Sequence, residues 1–270
     1  MRDQWLVRPG HPVDLAHIDP SARPGAPGER AETEAALPGL VDRLRGLQDR
    51  LWAESRRSLL VVLQAMDAGG KDGTIKHVFE GVNPQGTRVT SFKEPTPREL
   101  AHDFLWRVHA ATPAAGEIAI FNRSQYEDVL VPRVHGGIDE ATWRQRYGLI
   151  ADFEALLAHG GTTTVKLFLH ISRDEQRARL EERIDRPEKR WKLQASDFAE
   201  RRYWDAYQQA YADAIVATST RHAPWYIIPA NHKWYRNWAV STILVETLDE
   251  LDPRYPAPPD LGDTAAPDLT

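Results

Sequence analysis

The most constraining feature is an uninterrupted apolar run, Leu59-Leu60-Val61-Val62-Leu63, leading into Asp67-Ala68-Gly69-Gly70-Lys71-Asp72-Gly73-Thr74. A run without polar alternation suits a strand covered on both faces, as in a parallel sheet. Such sheets take ligands beyond the carboxyl ends of their strands, where this loop falls. Gly69, Gly70 and Gly73 carry no Cβ, so backbone N–H groups at 68–74 can close around an anion. A helix from about Lys71 to Glu80 aims its positive end at the same point, and Lys71 reaches a phosphate oxygen. The match to G-x-x-x-x-G-K-[ST] is incomplete, with Ala65 at the first glycine and Asp72 at the hydroxyl position. Taken alone, the loop is either a phosphate cradle or a tight turn between strand and helix.

The alternation continues downstream. Strands are predicted at Thr87–Phe92, Ile118–Phe121, Thr163–His170 and Trp225–Ile228. Helices are predicted at Pro97–His109, Thr142–Ala158, Arg173–Ile184, Ser196–Ala217 and Tyr235–Leu251. Ahead of the first strand, Leu40, Val41, Leu44, Leu47 and Leu51 form a helical stripe whose start or kink falls at Pro38-Gly39. Alternating strands and helices predict an α/β fold with a doubly wound parallel sheet. Residues 1–30, rich in Pro and Gly, read as an irregular arm with Trp5 and Leu6 as its docking residues. Residues 31–252 form the main domain, and 253–270 a loose, proline-rich tail.

Composition narrows the function classes. There are no cysteines, which excludes disulfides, thiolate metal sites and cysteine nucleophiles. No apolar run approaches the length of a membrane span, and residues 1–14 lack the apolar stretch of a signal peptide, so a cytoplasmic protein without membrane contact is expected. The net charge of −5 argues against a nucleic-acid partner, so any anion must be held by a local cluster. The histidines show no metal-binding spacing.

Several ordered segments carry a resemblance to a known family. Leu63–Ile75 resembles the Walker A region of polyphosphate kinase 2 proteins. Gly81-Val82-Asn83-Pro84-Gln85-Gly86, His102–Arg107, Phe121-Asn122-Arg123-Ser124 with Tyr126-Glu127-Asp128, Asp185–Lys192 and Ala223–Trp234 follow in the family's order. The similarity spans about residues 30–250 and is closest to the class III subgroup, which accepts AMP and ADP. It implies a P-loop kinase-like sheet with a helical lid at about 173–200. It also implies phosphoryl transfer between inorganic polyphosphate and adenine nucleotides, with guanine nucleotides left open. Mg²⁺ is the implied cofactor, Mn²⁺ a substitute, and a homo-oligomer (dimer or tetramer) the implied assembly. The competing expectations are an ATP-dependent kinase on the same fold and a non-catalytic sensor of polyphosphate or nucleotide.

The residues then acquire candidate roles. Phosphoryl transfer needs positioning and charge neutralisation more than covalent chemistry. Asp67, at the strand-to-loop junction, is the candidate Mg²⁺ ligand, or else a turn residue with local hydrogen bonds. Asn122 stands where the family often has Asp, which favours a hydrogen-bonding or water-mediated role. Arg123 is placed to neutralise moving charge with a guanidinium fork, the alternative being an ion pair with Glu127 or Asp128. Glu127 is either an exposed helix-start residue or a selector of the acceptor. Arg107 is a candidate phosphate contact beside Trp106. Arg183, Arg186, Lys189, Arg190 and Lys192 form a basic run. It is either a solvated helix face or a lid whose Arg183, Arg186, Lys189 and Lys192 hold phosphates.

Overall fold

Six strands pair among the residues described by the computed structural model (1–191, 193 and 195–258). They are Leu6–Val7 (β1), Ser58–Gln64 (β2), Thr87–Ser91 (β3), Ile118–Asn122 (β4), Thr162–His170 (β5) and Trp225–Pro229 (β6), in the order β1-β6-β5-β2-β4-β3. All neighbours run parallel except β1, which pairs antiparallel with β6 through Leu6↔Tyr226 and Val7↔Trp225. Every residue of β2 is buried, as its apolar run requires. Because β2 lies between β4 and β5, the chain reverses winding direction beside it, and a crevice opens at the carboxyl ends there.

Helices cover both faces. On one side Arg30–Glu54 (α1) packs on Lys233–Leu251 (α11), which also meets Lys71–Val78 (α2). Between β3 and β4 run two short helices, Pro97–Leu100 (α3) and Trp106–His109 (α4). On the other side Glu127–Val134 (α5), Glu140–His159 (α6) and Trp204–Thr218 (α10) pack together. Arg173–Asp185 (α7), Pro187–Arg190 (α8) and Ala195–Glu200 (α9) lie between β5 and α10, in the segment expected to form a lid.

Three expectations change. Pro38 does not mark the start: α1 begins at Arg30 and runs through it, with the Pro38 ring exposed while Val41, Leu44, Leu47 and Leu51 are buried. Pro97–His109 is not one helix. Asp103 accepts from Leu105 N–H through its side chain (3.0 Å) and from Trp106 N–H through its carbonyl (3.1 Å), turning the chain between α3 and α4. Ser196–Ala217 is likewise broken, by a 3-10 turn at Arg201–Tyr203. The N-terminal arm docks through Trp5, as its sequence suggests: Trp5 is 3% exposed, packs edge-on against Trp238 and donates its indole N–H to Tyr235 (2.9 Å). Of the tail, residues 253–258 contain no helix or strand, and 259–270 lie outside the described residues.

The core also holds a buried ion pair. Lys166 on β5 bonds Glu154 of α6 at 2.5 Å, and its ammonium also donates to the Tyr126 hydroxyl (3.1 Å) and the Thr218 carbonyl (2.7 Å). Both side chains are fully enclosed, so removing one partner strands the other's charge. Lys166→Met should cost about 3–5 kcal/mol of stability in urea unfolding. Lys166→Met with Glu154→Leu should recover most of that loss, and equal midpoints for the single and double variants would contradict the assignment.

Candidate active site

The site is assembled from strand ends. Past Gln64, the β2 chain enters a loop containing Ala68 at φ +59° and Gly70 at φ +105°, both left-handed. Gly70 is the N-cap of α2, whose first turn therefore opens onto the loop. A Cβ on Gly69 would lie 2.5 Å from the Ala65 Cβ, so only glycine allows this path. Thr74 donates its hydroxyl to the Gly70 carbonyl at 3.1 Å, bracing the first turn.

β4 supplies the opposite wall. Its register places Asn122 level with Leu63, and Arg123 follows at φ +63°, its N–H bonded to the Leu63 carbonyl (3.1 Å). A left-handed non-glycine residue in each wall is strain of the kind that collects at functional sites. Arg123 Nη2 donates to Asp67 Oδ1 at 3.1 Å, closing the two walls. The alternative pairing of Arg123 with Glu127 or Asp128 is thus replaced by Asp67. Asn122 makes a hydrogen bond, its Nδ2 donating to Asp72 Oδ1 at 2.8 Å.

Lys71 donates to the Ala65 carbonyl at 2.9 Å. Burial, with the neighbouring Arg123 charge, pushes its amine down to about 8, against the pull of Asp67, Glu127 and Asp72. Glu127 opens α5 half-buried, and burial raises its carboxyl above the usual range, though Arg123 and Lys71 act the other way. The exposed alternative for Glu127 therefore falls away. Arg107 is held between the Asp128 carboxylate (2.9 Å) and the Lys93 carbonyl (2.8 Å), its guanidinium 5.6 Å from the Phe92 ring centre. Trp106 is half-buried and stacks on His102 at 4.1 Å.

Two cavities meet at this point. The first, about 820 Å³, has Leu100, Phe104, Val131, Pro132 and Ile138 among its apolar walls, with Arg107, Glu127 and Asp128 facing it. The second, about 1430 Å³, is bounded by residues 67–73, Arg183, Lys189, Lys233 and Arg236. Asp67, Phe92, Lys93, Glu94 and Arg123 line both. Among the described residues, nine lysines and arginines stand against five carboxylates around the second cavity, although the chain as a whole is acidic. The described lining of the first reverses the balance, with seven carboxylates against four cations.

Not all of the basic run faces the second cavity. Arg186 lies outside its described lining and pairs with Glu182 (3.0 Å) and Glu188 (2.8 Å). Glu182 also accepts from Lys189 (2.6 Å), and these hydrogen bonds hold its carboxyl down to about 2. Lys192 lies outside the described residues. Two arginines went unnoticed in the sequence. Arg179 of α7 donates to the carbonyls of Ala68 (3.1 Å), Gly69 (2.9 Å) and Ala230 (2.6 Å). Arg236, in the first turn of α11, lies against Gly70. The signal available for Arg236 was position: the motif ending at Trp234 delivers the next helical turn to the same sheet edge.

A family model described as Polyphosphate kinase 2 (PPK2) matches residues 28–256. The chain belongs to this family. It is 55% identical over 255 residues to an AMP/ADP-polyphosphate phosphotransferase from Meiothermus ruber, covering 94% of this chain and 96% of that one. It is 43% identical to an ADP-polyphosphate phosphotransferase from Rhodopseudomonas palustris, covering 94% and 91%. The crystal structure of polyphosphate kinase 2 from Arthrobacter aurescens superposes with a TM-score of 0.92 at 46% identity, covering 95% of this chain and 91% of that one. The P-loop kinase-like sheet is thus the fold of a polyphosphate kinase 2 protein. Among the described residues no helix is long and apolar enough to cross a membrane.

Proposed function

We propose that this polyphosphate kinase 2 protein transfers the terminal phosphoryl group of inorganic polyphosphate to AMP and to ADP, making ADP and ATP. The observation that carries this reading is the pair of joined cavities. A chain of phosphates suits the cation-rich cavity over the glycine loop, and a nucleotide, with an apolar base, suits the one walled by Leu100, Phe104 and Val131. Reacting groups then meet where the cavities join, at Asp67 and Arg123.

In the transfer, an oxygen of the acceptor's terminal phosphate bonds to the terminal phosphorus of polyphosphate. The bridging P–O bond behind that phosphorus breaks, and the shortened chain keeps the electron pair. The attacking oxygen carries no proton at neutral pH, so no general base is needed and catalysis rests on alignment and charge. Arg123 and Lys71 supply cations on either side of the moving group. Arg183, Lys189 and Lys192 would hold the rest of the chain, and closure of the 173–200 segment would exclude water.

Mg²⁺ fits this site through few protein ligands. No cluster of three or more His, Asp or Glu occurs among the described residues, and Mg²⁺ commonly binds one or two carboxylates together with phosphates and water. Asp67, facing both cavities, would hold it, and the ion would offset phosphate charge. Glu127 would place the terminal phosphate of the shorter acceptor, and Arg107 would orient the acceptor from beneath Asp128. Cytoplasmic residence and a homo-oligomeric assembly belong to the same proposal.

Two measurements test these roles. Because the Lys71 amine sits at about 8, it is charged below that pH and neutral above it. The kcat/KM for polyphosphate should therefore fall by up to about tenfold per pH unit above 8, while the limb in kcat lies higher because bound phosphate retains the proton. A profile flat to pH 10 would remove Lys71 from the transfer. With polyphosphate as sole donor, the parent should phosphorylate AMP and ADP, and Glu127→Asn should lose about tenfold more kcat/KM with AMP than with ADP. Equal losses would deny Glu127 the selecting role, and a parent inactive on both acceptors would overturn the function.

A further inference from the structure

Arg236 is a buried cation without an anion. It is 2% exposed, and both its Nε (3.2 Å) and Nη2 (2.8 Å) donate to one neutral acceptor, Asn237 Oδ1. No carboxylate among the described residues pairs with it, and Nη1 makes no hydrogen bond there. The charge that acts on it is that of Arg179, whose guanidinium is already engaged by Glu175 and by loop carbonyls. Burial and the like charge of Arg179 push Arg236 down to about 9, which leaves it charged at neutral pH. Desolvating a charge without a partner costs several kcal/mol, so an uncompensated one is a burden on the fold.

Position explains what would relieve it. A Cβ on Gly70 would lie 2.1 Å from Arg236 Nη1, and one on Gly73 would lie 3.4 Å from Nη2. The guanidinium therefore lies against the two glycines of the loop and lines the cation-rich cavity. It does not line the first cavity. We propose that Arg236 is a donor-binding residue that takes a phosphate of polyphosphate through Nη1, so that the missing anion arrives with the substrate. This rests on assigning the cation-rich cavity to the donor. The fork geometry matters, because Nη1 can reach a phosphate while Nε and Nη2 remain bonded to Asn237.

A charge kept for a ligand and a charge kept for folding behave oppositely when removed. In Arg236→Met the ligand-free protein should melt at or above the parent's temperature, since an unpaired buried charge is gone. Its dissociation constant and KM for long-chain polyphosphate should rise by about 10- to 100-fold, the worth of one charge-assisted hydrogen bond. The KM for ADP should stay at the parent's value, and Arg236→Lys should recover part of the polyphosphate affinity. Calorimetric titration of polyphosphate without nucleotide, alongside melting, reads these quantities directly. A Met variant that is destabilised or unfolded, or that binds polyphosphate like the parent, would overturn the proposal. Failure of the parent itself to bind polyphosphate would instead overturn the donor assignment of the cavity.

Discussion

The Arg123–Asp67 ion pair bridges the ends of β4 and β2 at 3.1 Å, and backbone geometry holds both partners there. Arg123 is pinned by its N–H on the Leu63 carbonyl and by a left-handed φ, and the Asp67 carbonyl is gripped by Gln176 (3.0 Å). Their meeting depends on β2 and β4 being adjacent and in register, which depends on β2 being buried on both faces. The same pair forms the boundary between an acid-rich cavity and a cation-rich one. Shifting either strand by one residue would remove the wall where both cavities end.

Charge is distributed unevenly around that boundary. Lys71, half-buried at the start of α2, and Arg236, buried on α11 against the glycine loop, are each displaced downward by desolvation and by a neighbouring arginine. On the opposite side Glu127 and Asp128 are raised by burial. The protein alone thus stores unfavourable electrostatics of both signs, which the proposed anionic and metal-bearing ligands would relieve. Further out, Glu182 gathers Arg186, Lys189 and Lys233, so part of the basic run is compensated before any ligand arrives.

What could be read from the residues follows from how local each determinant is. The run at 59–63 and the strands at 118–121 and 163–170 were legible because doubly buried parallel strands have a composition of their own. The end of the first then pointed to Asp67 and Lys71 by the rule that places ligands at strand carboxyl ends, while Asn122 and Arg123 were marked by the resemblance to the family. The two-residue β1 was not legible, since only the docking of Trp5 on α11 creates it. Pro38 misled because its exposure depends on which face α1 buries against α11. Asp103 misled because its turn competes with a helix that the aromatic pattern favours. Arg179 and Arg236 look like ordinary helix residues, and only tertiary packing brings them to the loop.

In the proposed arrangement donor and acceptor occupy separate cavities at once and meet at Asp67 and Arg123. Initial rates over crossed concentrations of polyphosphate and ADP test it directly. Simultaneous occupancy predicts double-reciprocal lines that intersect. Parallel lines, the pattern of a phosphorylated enzyme formed before the acceptor binds, or competition between the two substrates for the free enzyme, would contradict it.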